Sequence, residues 1–308
     1  YELSNKYLEE YIASKEEDLL DLAYLIYGYN LLNLEKYPDA IKKFEIIITR
    51  FPLSPYLKNS YFFLITAYLK INDVDSSFNY YLEYKKKFGR EDNLETQIGR
   101  LLLNKGINFF KNNNFIEAKK KFNLILDEIE DKELLPWANY YIGLIEFQAG
   151  NYQKSQEYFQ KVLLTGKGEI VLDSKLKIGD CYFNQGNYDK AESIYREILK
   201  ESDSIFSEWA KFQIAMIEKR RGNLEKAKEI LTDIKYKDDN ELKFNVLNEI
   251  AGIYILLEKW NEAESILNKI LKEIPDRKEI PEIYLKLGII NFNRKNFDKA
   301  ISFLNRAI

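Results

Sequence analysis

The sequence predicts an all-α solenoid of about eight stacked helix pairs, and the first reason is an internal repeat. A small residue, Ala or Ser, recurs at spacings of 36 to 41 residues and is followed four positions later by an aromatic residue or Leu. The second reason is composition, because 13 Gly and 6 Pro among 308 residues are too few for a turn-rich β architecture. The recurring small residues are Ala40, Ser77, Ala118, Ser155, Ala191, Ala227, Ala263 and Ala300.

Each unit is predicted to contain two amphipathic helices, because apolar residues recur at the 3–4 spacing of one helical face. In the first unit these residues are Tyr24, Tyr27, Gly28 and Leu31 in the first helix, then Ala40, Phe44 and Ile47 in the second. Twelve positions before each Ala or Ser lies a first-helix residue where two backbones must approach closely. These anchor residues are Gly28, Ile65, Gly106, Gly143, Gly179, Ala215, Ala251 and Gly288. Because Ile65 is large, the second unit is expected to pack more loosely or at a different angle.

Gly and Pro mark the ends of the predicted helices. A left-handed residue is expected where a first helix ends, and the glycines in that place are Gly150, Gly186 and Gly222. Units without this glycine are expected to use a polar turn, at Lys36, Asn114 and Lys259. Proline fits the boundaries: Pro38 in the first turn of a second helix, Pro52 and Pro275 after second helices, and Pro55, Pro136 and Pro281 before first helices.

This pattern resembles the tetratricopeptide-repeat family. The residues that carry the resemblance in the first unit are Tyr24, Tyr27, Gly28, Leu31, Ala40, Phe44, Ile47 and Pro52, with Tyr24 in place of the usual Trp. The resemblance implies a right-handed superhelical solenoid whose first helices line a concave groove. Residues 40–69 also resemble bacterial cell-envelope members of the family, such as outer-membrane assembly lipoproteins and the periplasmic Tol-Pal-associated protein. That likeness favours a periplasmic or envelope-associated location over a cytoplasmic one.

The chain is predicted to divide into an N-terminal extra helix, residues 1–20, and a repeat solenoid, residues 21–308. The expected units are 21–57, 58–98, 99–135, 136–171, 172–207, 208–243, 244–280 and 281–308. The extra helix is expected to be capped by Ser4 or Asn5 and to cover the open edge of the first unit. Residues 86–97 are predicted to form a polar loop that can bend the solenoid. The sequence stops inside a second helix without a polar cap, which indicates a fragment or an end that self-associates.

The chain has no His and one Cys, which excludes His-dependent catalysis, disulfides within the chain and thiolate metal clusters. Cys181 is predicted to be a core residue. Acidic clusters at 16–18, 127–131 and 238–239 could pair carboxylates for catalysis, but solvated turns are the favoured interpretation. We therefore predict no enzymatic activity, catalytic residue, metal or cofactor. The balance of 46 basic and 49 acidic residues argues against a nucleic-acid partner, and no apolar run is long enough to span a membrane.

Aromatic residues make up 15% of the chain, and this abundance is the feature of composition that bears on function. Many belong to the predicted core, but others fall on the first-helix face that would line the groove. The candidate binding residues are Tyr29, Phe62, Phe110, Trp137, Tyr140, Phe147, Phe183, Trp209, Phe212, Met216 and Phe292. An apolar, aromatic surface of this kind suits a protein or peptide partner. The competing interpretation is that half of these side chains pack against the adjacent repeat.

The sequence therefore leaves two candidate functions. The first is an interaction scaffold that binds a protein or peptide segment in the groove. The alternative is a structural assembly module that self-associates, or docks in a larger envelope complex, through its ends and outer face.

Overall fold

The computed structural model describes residues 1–14, 18–236 and 239–308. Within these residues the chain forms seventeen α-helices and no β-strand, which confirms the predicted all-α fold. The helices are α1 Glu2–Ala13, α2 Leu20–Asn33, α3 Tyr37–Arg50, α4 Leu57–Lys70, α5 Val74–Phe88, α6 Asp92–Lys111, α7 Phe115–Glu128, α8 Leu135–Gln148, α9 Tyr152–Thr165, α10 Glu169–Asn184, α11 Tyr188–Glu201, α12 Ile205–Arg220, α13 Leu224–Thr232, α14 Asn240–Leu256, α15 Trp260–Glu273, α16 Ile280–Asn293 and α17 Phe297–Ala307. Of the helices in these segments, none has the length and apolar character needed to cross a bilayer.

The helices divide into two compact units. Unit 1 comprises Tyr1–Ala149 and Leu164–Gly166, and unit 2 comprises Gly150–Leu163 and Lys167–Ile308. In unit 1 the pairs α2–α3, α4–α5 and α6–α7 form, and each second helix contacts the first helix of the following pair. In unit 2 the pairs α10–α11, α12–α13, α14–α15 and α16–α17 stack in the same manner. Each unit is therefore an α-solenoid in which a helix pair contacts its neighbours along the chain.

Three of the glycine anchors are small for a different reason from the close backbone approach that was predicted, because an aromatic ring fills the space that a side chain would need. A Cβ atom built on Gly106 would lie 2.5 Å from Cε1 of Phe122, which is fully buried. Phe44 covers Gly28 and Tyr195 covers Gly179 in the same way. These three helix pairs thus close through a Gly on the first helix and a ring on the second.

Of the two expectations for Ile65, looser packing is wrong, and a different helix angle stays a prediction. Ile65 and Tyr81, the aromatic residue at the matching second-helix position, are both fully inaccessible to solvent. A large residue at the anchor position is therefore accommodated without opening the core of the α4–α5 pair.

The turns after the first helices adopt the left-handed conformation predicted for them. Gly150, Gly186 and Gly222 have φ angles of 77°, 76° and 85°. In the other units polar turns form as expected, but the left-handed residue lies one position before Lys36, Asn114 and Lys259. The left-handed polar residues are Glu35, Asn72, Asn113, Glu258 and Lys295. Asn114 instead caps α7, because its side-chain oxygen accepts a hydrogen bond from the backbone N–H of Glu117.

The predicted polar loop at 86–97 is wrong. Helix α5 continues to Phe88 and α6 begins at Asp92, so only residues 89–91 connect them. The additional residues of this unit lengthen α6 to 20 residues. Leu94 and Ile98 are buried near its start, and their 3–4 spacing supplies the apolar face that the surrounding charges obscured.

The N-terminal helix α1 packs on α2, as expected for a cover on the first pair. The predicted caps are wrong, because the helix begins at Glu2 and places Ser4 and Asn5 inside it. Both residues instead hold α1 in place: the Asn30 Nδ2 amide donates to Ser4 Oγ at 3.1 Å and to Asn5 Oδ1 at 2.9 Å.

The prolines mark helix boundaries, with one correction. Pro38 lies in the first turn of α3 and Pro52 and Pro275 follow second helices, as predicted. Pro55 precedes α4, but Pro136 and Pro281 lie inside the first turns of α8 and α16 rather than before them. This position is compatible with proline because the first-turn N–H groups have no partner within the helix.

Candidate partner-binding site

The eleven candidate binding residues occupy four equivalent positions on the first helices. Counted from the small anchor residue of each helix, they lie six or three residues before it, or one or four residues after it. On α12, for example, Trp209, Phe212 and Met216 have this relation to Ala215. Residues at these spacings share one face of a helix. We call this set of positions the stripe.

The stripe is partly exposed at its candidate residues, whereas Leu25, Leu103 and Leu176, each three residues before an anchor, are buried. All eleven candidates lie in the described part of the chain and retain side-chain surface in solvent, whereas Ala215 is fully buried. Trp137 is 43% exposed and Phe292 is 60% exposed. Half-exposed rings of this size are what a binding surface offers to a partner.

In unit 1 the stripes of four helices adjoin, because α2 contacts α4, α4 contacts α6, and α6 contacts α8. We call the resulting surface the first-helix wall of unit 1. Its candidates are Tyr29, Phe62, Phe110, Trp137, Tyr140 and Phe147. The rings of Trp137 and Tyr140 meet edge to face with centroids 6.4 Å apart. The structure therefore assembles these candidates on one surface.

Two aromatic residues that the sequence did not single out join this wall to the core. Phe63 contacts Tyr29 at 5.2 Å between ring centroids and also contacts Phe44 in the core. Tyr141 contacts Phe110 at 5.4 Å and stacks on Phe122. Both lie two residues before their anchor, and this regular position was a signal that could have identified them.

In unit 2 the first helices α10 and α12 contact each other, and we call their joint surface the first-helix wall of unit 2. It carries the candidates Phe183, Trp209, Phe212 and Met216, whereas Phe292 lies on α16. Trp209 and Phe212 form an edge-to-face pair with ring centroids 5.8 Å apart. Phe183 instead contacts Tyr188, and Phe292 contacts Phe297, each at the start of the paired second helix. Phe183 and Phe292 therefore also stabilise their own helix pairs.

Comparison with known proteins identifies the repeat. Family models described as tetratricopeptide repeat match residues 22–54, 140–204 and 281–308. The chain contains tetratricopeptide repeats. Residues 22–54 lie in unit 1, residues 281–308 lie in unit 2, and residues 140–204 include parts of both units.

Solved structures resemble this tetratricopeptide-repeat protein in fold. The apo form of RapI matches with a TM-score of 0.58 at 14% identity, over 94% of this chain and 85% of RapI. A chain of the APC/C hetero-tetramer Cut9-Hcn1 matches with a TM-score of 0.54 at 13% identity, over 97% of this chain and 55% of that one. A tetratricopeptide repeat protein from Parabacteroides merdae ATCC 43184 matches with a TM-score of 0.47 at 16% identity, over 85% and 96%. No curated protein matches the sequence.

The tetratricopeptide-repeat wall of unit 2 contains two acidic residues that the sequence analysis missed. Asp173 and Asp180 lie on the stripe of α10, six residues before and one residue after the anchor Gly179. The residues at the position of Asp180 in the other units are Tyr29, Thr66, Ile107, Leu144, Met216, Gly252 and Ile289. Asp180 could have been identified from the sequence, because it is a carboxylate at a position where every other unit has an uncharged residue.

Asp180 is held in a hydrogen-bonded network that links three helices. Its side chain is nearly buried, at 7% exposure. Oδ1 accepts hydrogen bonds from the Tyr195 hydroxyl at 2.8 Å and from the Gln213 amide at 2.9 Å. Oδ2 accepts from the Lys177 ammonium at 3.3 Å. Burial raises the pKa of the Asp180 carboxyl, against the opposing effects of Lys177 and Tyr195.

A cleft of about 370 Å³ opens beside this network, between α10, α12 and the start of α14. We call it the acidic cleft and define it by Asp173, Lys177, Asp180, Trp209, Asp239 and Glu241. The Trp209 indole N–H donates to Asp239 Oδ2 at 3.2 Å. The other Asp239 oxygen caps α14 by accepting from the backbone N–H groups of Glu241 and Leu242. Trp209 is therefore fixed in orientation by a polar partner at the edge of the cleft.

Cys181 and two residues of the 127–131 acidic cluster have structural roles. Cys181 is fully buried, as predicted, and burial raises the pKa of its thiol to about 11. Within the 127–131 cluster, Glu130 pairs with Arg90 at 3.0 Å and Asp131 accepts from Thr96 at 2.9 Å. Residues 16, 17 and 238 of the other two acidic clusters lie outside the described residues.

Proposed function

We propose that this tetratricopeptide-repeat protein is a non-enzymatic scaffold that binds a protein or peptide segment along its first-helix walls. The tetratricopeptide fold itself supports a protein-interaction scaffold. The observation that carries the finer proposal is the stripe, where aromatic residues at four equivalent positions stay partly exposed. The resemblance of residues 40–69 to envelope proteins of the family supports a cell-envelope setting for this binding.

The physical basis of the binding is a preformed surface. The wall residues lie on helices whose opposite faces are fixed in the core, so the receptor loses little conformational entropy when a partner binds. Half-exposed Trp and Tyr side chains bury large areas on contact and dominate binding energies in interfaces of this kind.

Replacing Trp209 and Phe212 together with Ala is expected to weaken partner binding by at least about tenfold, because this edge-to-face pair is a candidate hot spot. The measurement is affinity capture from the native cell extract, followed by titration of the purified partner. The matched control is Tyr158→Ala, which removes a partly exposed ring from α9 in the same unit. Thermal unfolding of each variant checks that the fold is retained. Recovery of the same partners with the same affinity by the double variant would contradict the proposal.

A second candidate function, self-association, is favoured by the apolar surface of the last helix pair. Phe297 is 53% exposed and Ile301 is 57% exposed on α17. Leu304 has a different role, because its side chain packs over Gly288 at the crossing of α16 and α17.

If this surface mediates self-association, Ile301→Asp is expected to convert a dimer into a monomer, because a carboxylate cannot be buried there unpaired. Light scattering over a range of protein concentrations measures the mass. The control is Ser302→Asp, which adds the same charge at a neighbouring exposed position. A wild-type protein that stays monomeric throughout would exclude this candidate.

A further inference from the structure

The stripe of α14 is the one stripe in the sequence that carries no aromatic residue. Counted from the anchor Ala251, its residues are Asn245, Asn248, Gly252 and Ile255. Three residues before the anchor, the other seven first helices have an apolar residue, and one residue after it they all have a side chain. In α14 these two places hold Asn248 and Gly252, which are neighbours on one helix face because they are four residues apart.

The described part of the fold does not explain why residue 252 is glycine. Gly252 lies in the interior of α14, where glycine is less favourable than alanine, and its φ angle is not left-handed. Apart from its own helix backbone and chain neighbours, a Cβ atom built on Gly252 would have no atom of the described residues within 4 Å. A Cβ atom on Gly288, by contrast, would lie 2.7 Å from the Leu304 side chain. The space over Gly252 is therefore open.

The side-chain amide of Asn248 is held in position on the same helix face. The Lys286 ammonium on α16 donates a hydrogen bond to Asn248 Oδ1 at 2.7 Å, and Lys286 also pairs with Glu282 at 2.9 Å. Among the residues that the structure describes, Asn248 Nδ2 has no hydrogen-bond acceptor. This Nδ2 group can therefore donate to a ligand.

The stripe of α14 adjoins the first-helix wall of unit 2. Asn245 lines the acidic cleft together with Trp209 of α12. Phe212 and Met216 of α12 pack on a buried cluster that includes Val246 of α14. A segment that binds the apolar side chains of α12 can therefore continue onto α14.

We propose that the main chain of an extended, apolar partner segment makes its closest approach to the protein over Gly252, where a backbone carbonyl accepts a hydrogen bond from Asn248 Nδ2. The inference rests on the proposed function and names the conformation and chemistry of the partner. A glycine allows another backbone to approach closely, and the Asn amide is a donor that suits a peptide carbonyl. A helical segment fits less well, because its carbonyls are already bonded within the helix.

Two pools of synthetic peptides test the proposal. Both consist of N-acetylated, C-amidated peptides with seven random apolar residues between two terminal lysines, which keep them in solution. In the second pool the three central peptide nitrogens are methylated, which enlarges the main chain and leaves the side chains unchanged. Equilibrium dialysis measures how much of each pool the full chain retains. The wild-type protein is expected to retain the unmethylated pool more strongly.

The test variant is Gly252→Ala, which is expected to change stability and binding in opposite directions. The urea midpoint of unfolding should rise, because alanine is the better helix former and its methyl group would lie in open space. Retention of the unmethylated pool should fall by about two- to tenfold, the effect of losing one hydrogen bond, and the methylated pool should be unaffected.

Two further variants separate the bulk of the new side chain from its effect on the helix. Gly252→Gln should weaken retention of the unmethylated pool more than alanine does, because Gln is larger but has a similar helix propensity. The matched control is Ser193→Ala, at an exposed position on α11 outside every stripe. It also introduces a better helix former and should leave the retention of both pools unchanged.

Equal retention of the two pools by the wild-type protein, including no retention of either, overturns the proposal. Unchanged retention of the unmethylated pool by Gly252→Ala overturns it as well. So does a lower urea midpoint of that variant, which would show that the glycine serves the fold. The proposed function fails by a different result, which is an unaltered native partner in the Trp209→Ala, Phe212→Ala variant. The two failures are therefore distinguishable.

Discussion

Phe122→Ala is expected to lower the free energy of unfolding of unit 1 by about 3–5 kcal/mol, the range for truncating a large buried aromatic residue. Phe122 lies on α7, is fully buried, and occupies the space over Gly106 where α6 and α7 cross. Tyr141 stacks on its other side with ring centroids 5.2 Å apart. The truncation removes the contacts of the Phe122 ring with Gly106 and with Tyr141. Gly106 has no side chain that can fill the cavity.

Urea unfolding followed by circular dichroism measures this loss, with hydrogen exchange to locate it in unit 1. The second method is needed because repeat proteins can unfold in parts, and a single transition cannot be assumed. Phe110→Ala is the matched control, because Phe110 contacts the same Tyr141 but lies on the partly exposed stripe. Its expected cost is smaller, within about 1.5 kcal/mol, since less apolar area is lost from the core. Equal losses in the two variants would contradict the division between core and wall.

The same residues explain why the helix pairs could be predicted from the sequence. A small anchor such as Gly106 and a ring sixteen positions later, such as Phe122, are both required at a close helix crossing. This requirement is local to one pair and recurs in several units, so the spacing alone reveals it. The left-handed residues follow from the same geometry, since each lies seven positions after its anchor.

The start of α6 could not be predicted in the same manner. Residues 89–96 are mostly polar, and polar composition predicted a loop. The helix forms because Leu94 and Ile98 reach the core and because the buried Glu95 finds partners on other segments. Local composition does not reveal those partners, because they come from segments that the tertiary structure brings together.

Part of the candidate site could likewise be predicted from the sequence, and part of it could not. The stripe could be predicted, because its positions are fixed relative to the anchor by helical geometry. The acidic cleft could not, because Asp180 on α10 depends on Tyr195 from α11 and Gln213 from α12. Only the assembled fold shows that the Asp180 carboxylate has hydrogen-bond donors. It also shows that further carboxylates line the cleft with Trp209.

Glu95→Ala is the second substitution with a large expected effect, a loss of about 3 kcal/mol in the free energy of unfolding. Glu95 is fully buried on α6 and connects three segments of unit 1. It accepts hydrogen bonds from the Tyr81 hydroxyl on α5 and, at 2.8 Å, from the backbone N–H of Glu130 after α7. Arg90 also approaches it at 3.2 Å. Alanine would leave the buried Tyr81 hydroxyl and the Glu130 backbone N–H without this acceptor.

Urea unfolding again measures the loss, and Asp92→Ala serves as its control. Asp92 contacts the same Arg90 at 2.9 Å, but its side chain is largely exposed, so its removal is expected to cost no more than about 1 kcal/mol. Similar losses for Glu95→Ala and Asp92→Ala would show that the ion pair with Arg90, rather than the buried hydrogen bonds, carries the effect.

A double-mutant cycle with Tyr81→Phe separates the contributions further. If the cost of Glu95→Ala comes from the unsatisfied hydroxyl, it should be smaller by about 1 kcal/mol or more when Tyr81 is already Phe. An equal cost in both backgrounds would assign the loss to the Glu130 backbone N–H instead. In that case the role of Glu95 is to hold the chain after α7 against α6. That contact would be the reason why the additional residues of this unit form a longer helix rather than a loop.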